Sequence, residues 1–246
     1  MRELIAHLDV ADLEWRPQGT HGIRSRVLSD DPASQGKTLY IDIPPKWRGG
    51  GVAHYHDASE EAFIIEGDVT LVDGRDWLLG GSYLYRPGGI AHGHDEWAEK
   101  GNRSIIKAGG KLELILVHEP DSQDEYVLFP SDDGRPHVLN LKTLDMEWEW
   151  SGDGAARRGA KLLTEDAKTG ATTSLVHFPA GWAGQYPMRP DIPWEWFVLS
   201  GQVETSDGTA FDANSYSFRP PGSPAVDRKG TRRNSSHVVI SHAVCC

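Results

Sequence analysis

The sequence predicts an all-β fold, and three observations support this class. Short runs of β-branched, aromatic and aliphatic residues recur along the chain, whereas helical periodicity is weak throughout. Glycines (27) and prolines (15) are plentiful, as expected where many short strands are joined by turns. The chain has 246 residues, of which 38% are hydrophobic and 25% charged, and this is enough for one large or two ordinary globular domains.

Five strands are predicted in the first half of the chain, in close succession. They cover residues 38–43, 62–66, 69–72, 82–86 and 112–117. Asp73-Gly74 lies between the run 69–72 and the run 77–79, and this dipeptide is typical of a tight hairpin turn. Short strands at regular spacing in a domain of this size favour a sandwich or a barrel.

The second half of the chain repeats the pattern of the first half. Four segments return in the same order at offsets of 133 or 134 residues: 11–15 as 144–148, 64–69 as 198–203, 73–74 as 207–208, and 82–87 as 215–220. Four ordered matches at nearly one offset indicate a duplication of about 120 residues. The predicted domains are therefore residues 1–125 and 126–246, joined by the polar, proline-containing segment 119–125.

His54, His56, Glu60 and His92 are the candidate metal ligands. Residues two apart on an extended strand point to the same side, so His54 and His56 share a face. Glu60 follows after a short bend, and His92 must arrive from a different strand. Three imidazoles and one carboxylate can surround one divalent metal ion, and two donor segments are stronger support than one HxH motif.

These two segments resemble the two motifs of the cupin superfamily. The first motif, G-x5-H-x-H-x(3,4)-E-x6-G, is matched by His54, His56, Glu60 and Gly67, although Arg48 stands at its opening glycine. The second, G-x5-P-x-G-x2-H-x3-N, is matched by Gly81, Pro87, Gly89 and His92, with Glu96 in place of its asparagine. Once the duplication is counted, the resemblance covers most of the chain, which is therefore similar to a bicupin.

The resemblance implies a double-stranded β-helix, or jelly-roll barrel, in each half, and hence two tandem barrels. In cupins the four ligands point into the barrel mouth and leave metal positions for water, substrate or oxygen. Glu61 also lies beside the site, but its spacing to Gly67 is one residue short of the motif. We therefore expect Glu60 to point inward and Glu61 outward.

The second copy has lost all four ligands. The positions of His54, His56, Glu60 and His92 correspond to Met188, Pro190, Trp194 and Ala225. Glu195 corresponds to Glu61. Because scaffold positions such as Gly201 and Pro220 remain, the fold does not require the metal, and a metal in one copy alone is more easily understood as chemistry. Tryptophans of the second copy suggest a filled or apolar barrel.

Several other side chains have two interpretations. His94 lies two residues from His92, so it is either a second-shell or pocket residue or an exposed loop residue. Tyr40, Phe63 and Trp77 either line the first pocket or belong to the core, and core is the better interpretation. Arg86 recurs as Arg219, which favours a structural role over binding an anion.

The preferred function is a metal-dependent enzyme with dioxygenase-like chemistry on a small oxygenated organic substrate. Iron, manganese, nickel, cobalt and zinc all suit these ligands. Isomerase, lyase or decarboxylase chemistry is the nearest alternative. A non-catalytic zinc-binding sensor is another, because the ligand spacing also resembles the zinc-binding cupin domains of bacterial anti-sigma factors. A vestigial site that holds no metal is a third alternative.

Composition argues against several partners. The net charge of −11 and the pI of about 5.4 disfavour binding to nucleic acid or to anionic membranes. No apolar run approaches the roughly 18 residues of a membrane span. The two cysteines, Cys245 and Cys246, are adjacent and make a poor disulfide framework, so a cytoplasmic location is expected. The expected partners are a small-molecule substrate and, by resemblance to cupins, a second copy of the chain in a homodimer.

Overall fold

The structure is a computed structural model that describes residues 2–19, 21–71, 75–117, 126–186, 191–223, 228–230 and 236–242. These residues form β-strands and three short 3-10 helices, which confirms the predicted all-β class. Within these ranges, no helix has the length and apolar character needed to cross a membrane.

The strands and helices follow in chain order. The strands are β1 (Ile5–Asp9), β2 (Arg16–Pro17), β3 (Arg24–Asp30), β4 (Lys37–Ile43), β5 (Trp47–Arg48), β6 (Ala53–Tyr55), β7 (Glu60–Thr70), β8 (Trp77–Leu79), β9 (Ser82–Arg86), β10 (Ile90–Ala91), β11 (Trp97–Ala98), β12 (Asn102–Ala108), β13 (Ile115–Val117), β14 (Tyr126–Val127), β15 (Val138–Lys142), β16 (Glu149–Ser151), β17 (Arg158–Glu165), β18 (Thr172–Phe178), β19 (Trp194–Ser200), β20 (Gln202–Thr205), β21 (Ala210–Asp212), β22 (Ser215–Arg219), β23 (Arg228–Gly230) and β24 (Ser236–His242). The 3-10 helices are Val10–Asp12, Thr143–Asp145 and Gly154–Ala156.

The first of two compact units consists of Leu13–Asp145. Its main sheet has the strand order β15-β9-β7-β12-β4-β3-β2, and all neighbours on this path are antiparallel. Strand β7 also pairs with β8 and β11. A buried apolar cluster includes Ala62, Ile64, Val69, Leu71, Leu78 and Leu84. Such antiparallel sheets around an apolar interior are consistent with a cupin jelly roll.

The second unit consists of Arg2–Asp12 and Met146–Cys246. One sheet has the order β1-β22-β19-β24-β18-β17-β16, and a smaller sheet has the order β21-β20-β23. Its core is strongly aromatic and contains Val176, Phe178, Trp182, Trp194, Trp196, Val198, Val203, Phe211 and Val238. The tryptophans of this copy thus fill an apolar interior, as the sequence suggested.

The sequence analysis divided the chain between residues 125 and 126, but the structure places two segments in the other unit. Residues 2–12 lie in the second unit because β1 pairs with β22. Residues 126–145 lie in the first unit because β15 pairs with β9. Each sheet is therefore completed by the strand that precedes the other repeat in sequence. The linker 119–125 lies outside the described residues.

Strand β7 replaces two separate predicted strands. Residues 62–66 and 69–70 belong to one strand, Glu60–Thr70, and Gly67 lies within it. The pairing with β12 shifts register between Ile64 and Glu66, as in a β-bulge at Ile65. Gly67 has φ +83°, and a Cβ at this position would lie 2.0 Å from the carbonyl oxygen of Gly101. The glycine therefore lies inside a continuous strand, at a close approach to a neighbouring backbone, where the sequence pattern predicted a break between strands.

Replacing Gly67 with alanine is expected to destabilise the protein by about 2–3 kcal/mol, because a non-glycine residue would be strained at this φ and would approach a backbone oxygen. Gly50→Ala is the matched control, since a Cβ at Gly50 meets no atom within 4 Å. Chemical denaturation of both variants measures the two free energies of unfolding. Equal values for the two would contradict the proposed close contact.

The remaining strand predictions agree with the structure with small changes in their ends. The runs 38–43 and 82–86 correspond to β4 and β9, and the run 112–117 is shortened to β13. Strand β8 pairs with β7 through Thr70 and Trp77, as a hairpin between the two requires. The predicted turn at Asp73-Gly74 lies outside the described residues.

Candidate metal centre

Three histidines are brought together by two short segments of the first unit. His54 lies in β6, and His56 follows one residue after this strand. His92 directly follows β10. The backbones of His54 and His92 form an antiparallel bridge, in which each N–H donates to the other residue's carbonyl oxygen at 2.8 Å. The bridge joins the two donor segments that the sequence places 38 residues apart (92 − 54).

The three imidazoles converge. Each offers a nitrogen, and these ligand atoms all lie within 4.8 Å of one another. The ring centroids of His54 and His92 are 4.4 Å apart, and both lie 5.2 Å or less from that of His56. His56 and His92 are buried, whereas His54 is half-buried. This spacing is compatible with nitrogens that share one ion at about 2.0–2.1 Å each.

Backbone carbonyls orient the rings. The Nδ1 of His56 lies 2.8 Å from the carbonyl oxygen of Glu113, and the Nδ1 of His92 lies 2.9 Å from that of Ile90. Because a carbonyl only accepts, both Nδ1 atoms donate, and each Nε2 keeps a lone pair. This arrangement is typical of metal-ligating histidines, whose tautomer is set by the second hydrogen bond.

Glu60 is held by a buried arginine. The carboxylate Oε2 of Glu60 accepts a hydrogen bond from Nη1 of Arg86 at 2.9 Å and lies 3.7 Å from Nε2 of His92. Nη2 of Arg86 lies 3.4 Å from Oε1 of Glu96. Arg86 thus connects the predicted carboxylate ligand to the residue that replaces the asparagine of the second motif. Both Glu60 and Arg86 are buried.

The surroundings keep the His54 imidazole neutral and the Glu60 carboxylate ionised. Burial, together with the neighbouring His56 and Arg86, lowers the pKa of His54 to about 4. Burial alone would raise the pKa of Glu60, but the charges of Arg86 and the histidines outweigh it and leave this pKa below its ordinary value. Neutral imidazoles and an ionised carboxylate are the forms that bind a metal ion.

Gly93 allows the loop after His92 to approach His54. This residue has φ +90°, and a Cβ here would lie 2.4 Å from Cε1 of His54. Only glycine fits without moving the imidazole.

Glu61 points to other partners, as β-strand alternation requires. Its Oε2 accepts hydrogen bonds from the Tyr83 hydroxyl at 2.8 Å and from Nη1 of Arg135 at 3.1 Å. Lys107 Nζ lies 3.7 Å from its Oε1. Glu61 is buried in this network. Glu60 is thus the member of the pair that lies beside the histidines.

The second unit repeats the network of Glu61. Glu195 accepts a hydrogen bond from the Tyr216 hydroxyl at 2.6 Å and lies 3.5 Å from Nη1 of Arg2. Arg2 precedes β1 as Arg135 precedes β15. The repeated network is therefore structural, and it explains why this glutamate is present in both copies.

Two suggested pocket residues do not lie on the face of Glu60. Tyr40, Ile105 and Phe63 are aligned across β4, β12 and β7, one residue out of phase with Glu60 and Ala62. Successive residues of a strand point to opposite faces, so Tyr40 and Phe63 lie on the face opposite to Glu60, and a pocket role for either residue stays a prediction. Both are buried, as core residues would be.

Trp77 and His94 are placed by different contacts. Trp77 contacts the ring of Trp97 edge-on, with centroids 4.7 Å apart. The Nδ1 of His94 lies 2.9 Å from Oδ2 of Asp95, and the His94 side chain is partly exposed. A pocket role for either residue stays a prediction.

Of the four positions in the second unit that correspond to the ligands, only one lies within the described residues, and it does not hold a metal-binding side chain. Trp194 replaces Glu60 and is buried in the aromatic core. The guanidinium of Arg219, which corresponds to Arg86, lies 5.7 Å from the centroid of this ring. Met188, Pro190 and Ala225 lie outside the described residues. The two equivalent arginines therefore have different partners, an ion pair in the first unit and an aromatic face in the second.

The sequence interpretation of Arg86 as structural missed its contact with the site. Arg86 recurs as Arg219 in the copy that lacks the metal ligands, and a residue present in both copies suggested a structural role. Glu96 could have indicated this contact, because it is an acid that stands ten residues after Arg86, where the second motif has an asparagine. At the equivalent position of the second unit, the described contact of Arg219 is with the Trp194 ring.

Comparisons with known proteins agree with this fold. Residues 5–110 match the family model of the ChrR cupin-like domain. Among curated proteins, none matches the chain. Many solved structures share the fold. A candidate dioxygenase from Nostoc punctiforme has a TM-score of 0.74 at 17% identity, covering 99% of this chain and 82% of its own.

Two further structures show the same fold at low identity. A candidate glyoxylate-induced protein from Pseudomonas aeruginosa has a TM-score of 0.68 at 13% identity, covering 96% of this chain and 88% of its own. A variant of oxalate decarboxylase from Bacillus subtilis, an enzyme described with Mn(II) centres, has a TM-score of 0.58 at 15% identity, covering 98% and 77%. Residues 5–110 are therefore similar to the ChrR cupin-like domain, and the solved structures show the same fold over nearly the whole chain.

Proposed function

We propose that the chain is a metal-dependent enzyme whose centre is formed by His54, His56 and His92, with Glu60 as the fourth ligand. The observation that carries the proposal is the convergence of three imidazole ligand atoms within 4.8 Å. Iron, manganese, nickel, cobalt and zinc all suit nitrogen and carboxylate ligands. The oxalate decarboxylase relative, described with Mn(II) centres, supports manganese as one of these.

The preferred chemistry is dioxygenase-like oxidation of a small oxygenated organic compound, such as an enol, a diketone or a catechol. The fold shared with a candidate dioxygenase supports this choice. A divalent metal ion, when bound, supplies Lewis acidity and, if redox-active, electrons for reaction with oxygen.

The side chains of the site have separate tasks in this proposal. The three imidazoles hold the ion through nitrogen, and the carbonyls of Glu113 and Ile90 keep two of the rings oriented. Arg86 keeps Glu60 ionised and limits its rotation. Burial of His56, Glu60 and His92 excludes water from this part of the centre.

We extend the proposal to a bicupin of two tandem jelly-roll barrels, in which the first alone carries the enzymatic centre. The division into two compact units and the paired networks of Glu61 and Glu195 support this architecture. Trp194 at the position of Glu60 supports the loss of the centre in the second copy. A small-molecule substrate, a cytoplasmic location and a homodimer complete the proposal.

Two alternatives have specific support. Decarboxylase, lyase or isomerase chemistry is supported by the fold shared with oxalate decarboxylase. A non-catalytic zinc-binding module is supported by the match of residues 5–110 to the ChrR cupin-like domain. A module of this kind would hold zinc in a closed coordination sphere.

The test is elemental analysis of untagged protein purified without added metal or chelator, followed by oxygen uptake with diketones and phenols. About one iron or manganese ion per chain, with oxygen uptake on at least one compound, is the expected result. Zinc without oxygen uptake would favour the zinc-binding module. Protein without bound metal that also fails to bind added iron, manganese or zinc would refute the metal centre.

A further inference from the structure

A second pair of histidines lies in the second unit, away from its core. His177 in β18 and His237 in β24 are direct partners across two neighbouring antiparallel strands. Their chain neighbours Val176, Phe178 and Val238 are fully buried in the aromatic core. Because strand residues alternate between faces, the two histidines lie on the opposite face of the sheet. Both are half-buried.

The two imidazoles face each other at the separation of a metal chelate. Nδ1 of His177 lies 3.1 Å from Nε2 of His237, and the ring centroids are 4.6 Å apart. Two nitrogens bound to one tetrahedral ion at 2.0–2.1 Å are about 3.3 Å apart, so little movement is needed. In the metal-free form, one ring donates its proton to the other.

Ser200 sets the proton positions of this pair. Its Oγ lies 3.1 Å from Nδ1 of His237 and can accept the proton of that nitrogen. Nε2 of His237 then keeps its lone pair, and His177 carries the shared proton on Nδ1. On metal binding, His177 moves this proton to its own Nε2, so that Nδ1 is free to coordinate and no net proton is lost.

Trp148 and Trp150 form an aromatic wall beside the pair. The ring of Trp148 lies 5.4 Å from that of His177 and 5.7 Å from that of His237, and Trp150 lies 5.7 Å from His177. Gly159, the partner of His177 on β17, leaves room for Trp148, because a Cβ there would lie 3.1 Å from its Cε3. The wall limits rotation of the imidazoles and thereby lowers the entropic cost of chelation.

The charges near the pair select for nitrogen-preferring metals. Burial lowers the pKa of both imidazoles, and in His237 the neighbouring His177 and Lys161 lower it further, so both rings are neutral at pH 7. The Lys161 ammonium lies over the Trp148 ring, 4.3 Å from its centroid. Burial lowers the pKa of Lys161, and the negative charge of Glu147 opposes this shift. A nearby cation disfavours any metal ion, so binding must depend on strong metal–nitrogen bonds, which Cu²⁺, Ni²⁺ and Zn²⁺ form and Mg²⁺ and Ca²⁺ do not.

We propose that His177 and His237 form a second transition-metal site, on the outer face of the sheet in the second unit. Nδ1 of His177 and Nε2 of His237 are the protein ligands, and water or a small ligand fills the other positions. This site is independent of the centre at His54, His56 and His92 and does not rest on the proposed function.

The test uses untagged full-length protein in which His54 and His92 are replaced with alanine and Cys245 and Cys246 with serine, so that neither the first centre nor the two thiols compete for the metal. Cu²⁺ buffered with glycine is the probe, because the buffer suppresses binding to single histidines. Equilibrium dialysis should find about one copper ion per chain. H177Q and H237Q should each weaken binding at least about tenfold, since one imidazole alone cannot chelate.

Three comparisons separate the site from general copper binding. H21Q removes an exposed histidine of the first unit and should leave binding unchanged. K161M should tighten binding several-fold by removing the repelling charge. W148F should retain the copper but lose part of the tryptophan fluorescence quenching, because Trp148 contacts both imidazoles.

The outcomes distinguish this proposal from the proposed function. If the four-substitution chain binds no more copper than its H237Q derivative, the second site is refuted. H237Q and H92A are also made separately in the wild-type chain. If H237Q loses one bound ion and H92A loses none, the second site stands and the first centre fails. Circular dichroism of each variant verifies that the fold is retained.

Discussion

Replacing His92 with alanine is expected to reduce the iron or manganese content of the protein from about one ion per chain to less than about a tenth of that value. His92 provides the ligand from the second donor segment, and its backbone already holds that segment against His54. Removal of its imidazole leaves two nitrogens on one strand segment. The loss of one ligand of a small set commonly lowers affinity by about a hundredfold or more, by analogy with outer-shell losses of 10–100-fold.

Elemental analysis of wild-type protein, His92→Ala and His94→Ala, purified in parallel, measures this effect. His94 is the matched control, because it lies in the same loop and its Nδ1 is 2.9 Å from Asp95 Oδ2. His94→Ala should therefore keep its metal, and any loss of activity in it would point to a pocket role. Unchanged metal content in His92→Ala would remove the basis of the enzymatic proposal.

Replacing Arg86 with methionine is expected to destabilise the metal-free protein by about 3–5 kcal/mol, because breaking a buried ion pair leaves an uncompensated charge. Arg86 forms ion pairs with both Glu60 and Glu96, and the Arg86 side chain is 7% exposed. Without the guanidinium, both carboxylates lose this cation, and Glu60 is left as a buried charge. Methionine is similar in length, so packing changes little.

Arg219→Met provides the comparison within the same chain. Arg219 occupies the equivalent position, but its guanidinium lies over Trp194. Loss of this contact should cost about 1 kcal/mol or less. Urea denaturation in the presence of a chelator measures both variants. A similar loss in both would mean that Arg86 acts through packing rather than through charge.

The deficit of Arg86→Met should depend on pH. In the wild type the pKa of Glu60 lies below its ordinary value of 4.5, so the stability that the pair contributes is present above this pH and is lost as the pH falls through the lower folded pKa. In the variant, burial is no longer opposed by Arg86 and the folded pKa should rise. Protonation then relieves the buried charge, and the difference between the two proteins should shrink as the pH falls from 7 toward 4.5.

Added metal offers a further check on Glu60 itself. If Glu60 binds the ion, the ion neutralises the charge that Arg86→Met leaves behind. Metal should then restore more stability to the variant than it adds to the wild type. An equal gain in both proteins would show that Glu60 is not a ligand.

Much of the fold followed from local pattern. The runs 38–43 and 82–86 became strands because alternating β-branched and aromatic side chains fit a pleated sheet with buried faces. The break predicted around Gly67 was wrong, because a glycine with positive φ is equally suited to a turn and to a close backbone approach within a long strand. Only the neighbouring strand, which supplies the carbonyl of Gly101, distinguishes the two.

The pairing of distant strands was beyond local pattern as well. The sequence division at residues 125 and 126 gave each repeat its own leading strand, whereas β1 completes the sheet of the second unit and β15 that of the first. Strand pairing is decided by long-range hydrogen bonds and burial, and linear spacing carries no information about which edge a strand will join.

The sequence by itself determined the all-β class and the candidate histidines, because alternation along a strand and the spacing of His54, His56 and His92 are local properties. The tertiary structure decided what surrounds them. It placed Tyr40 and Phe63 on the opposite face from Glu60, connected Arg86 to Glu60 and Glu96, and brought His177 against His237. These contacts join strands that lie far apart in the chain, so they arise only when the sheets have formed.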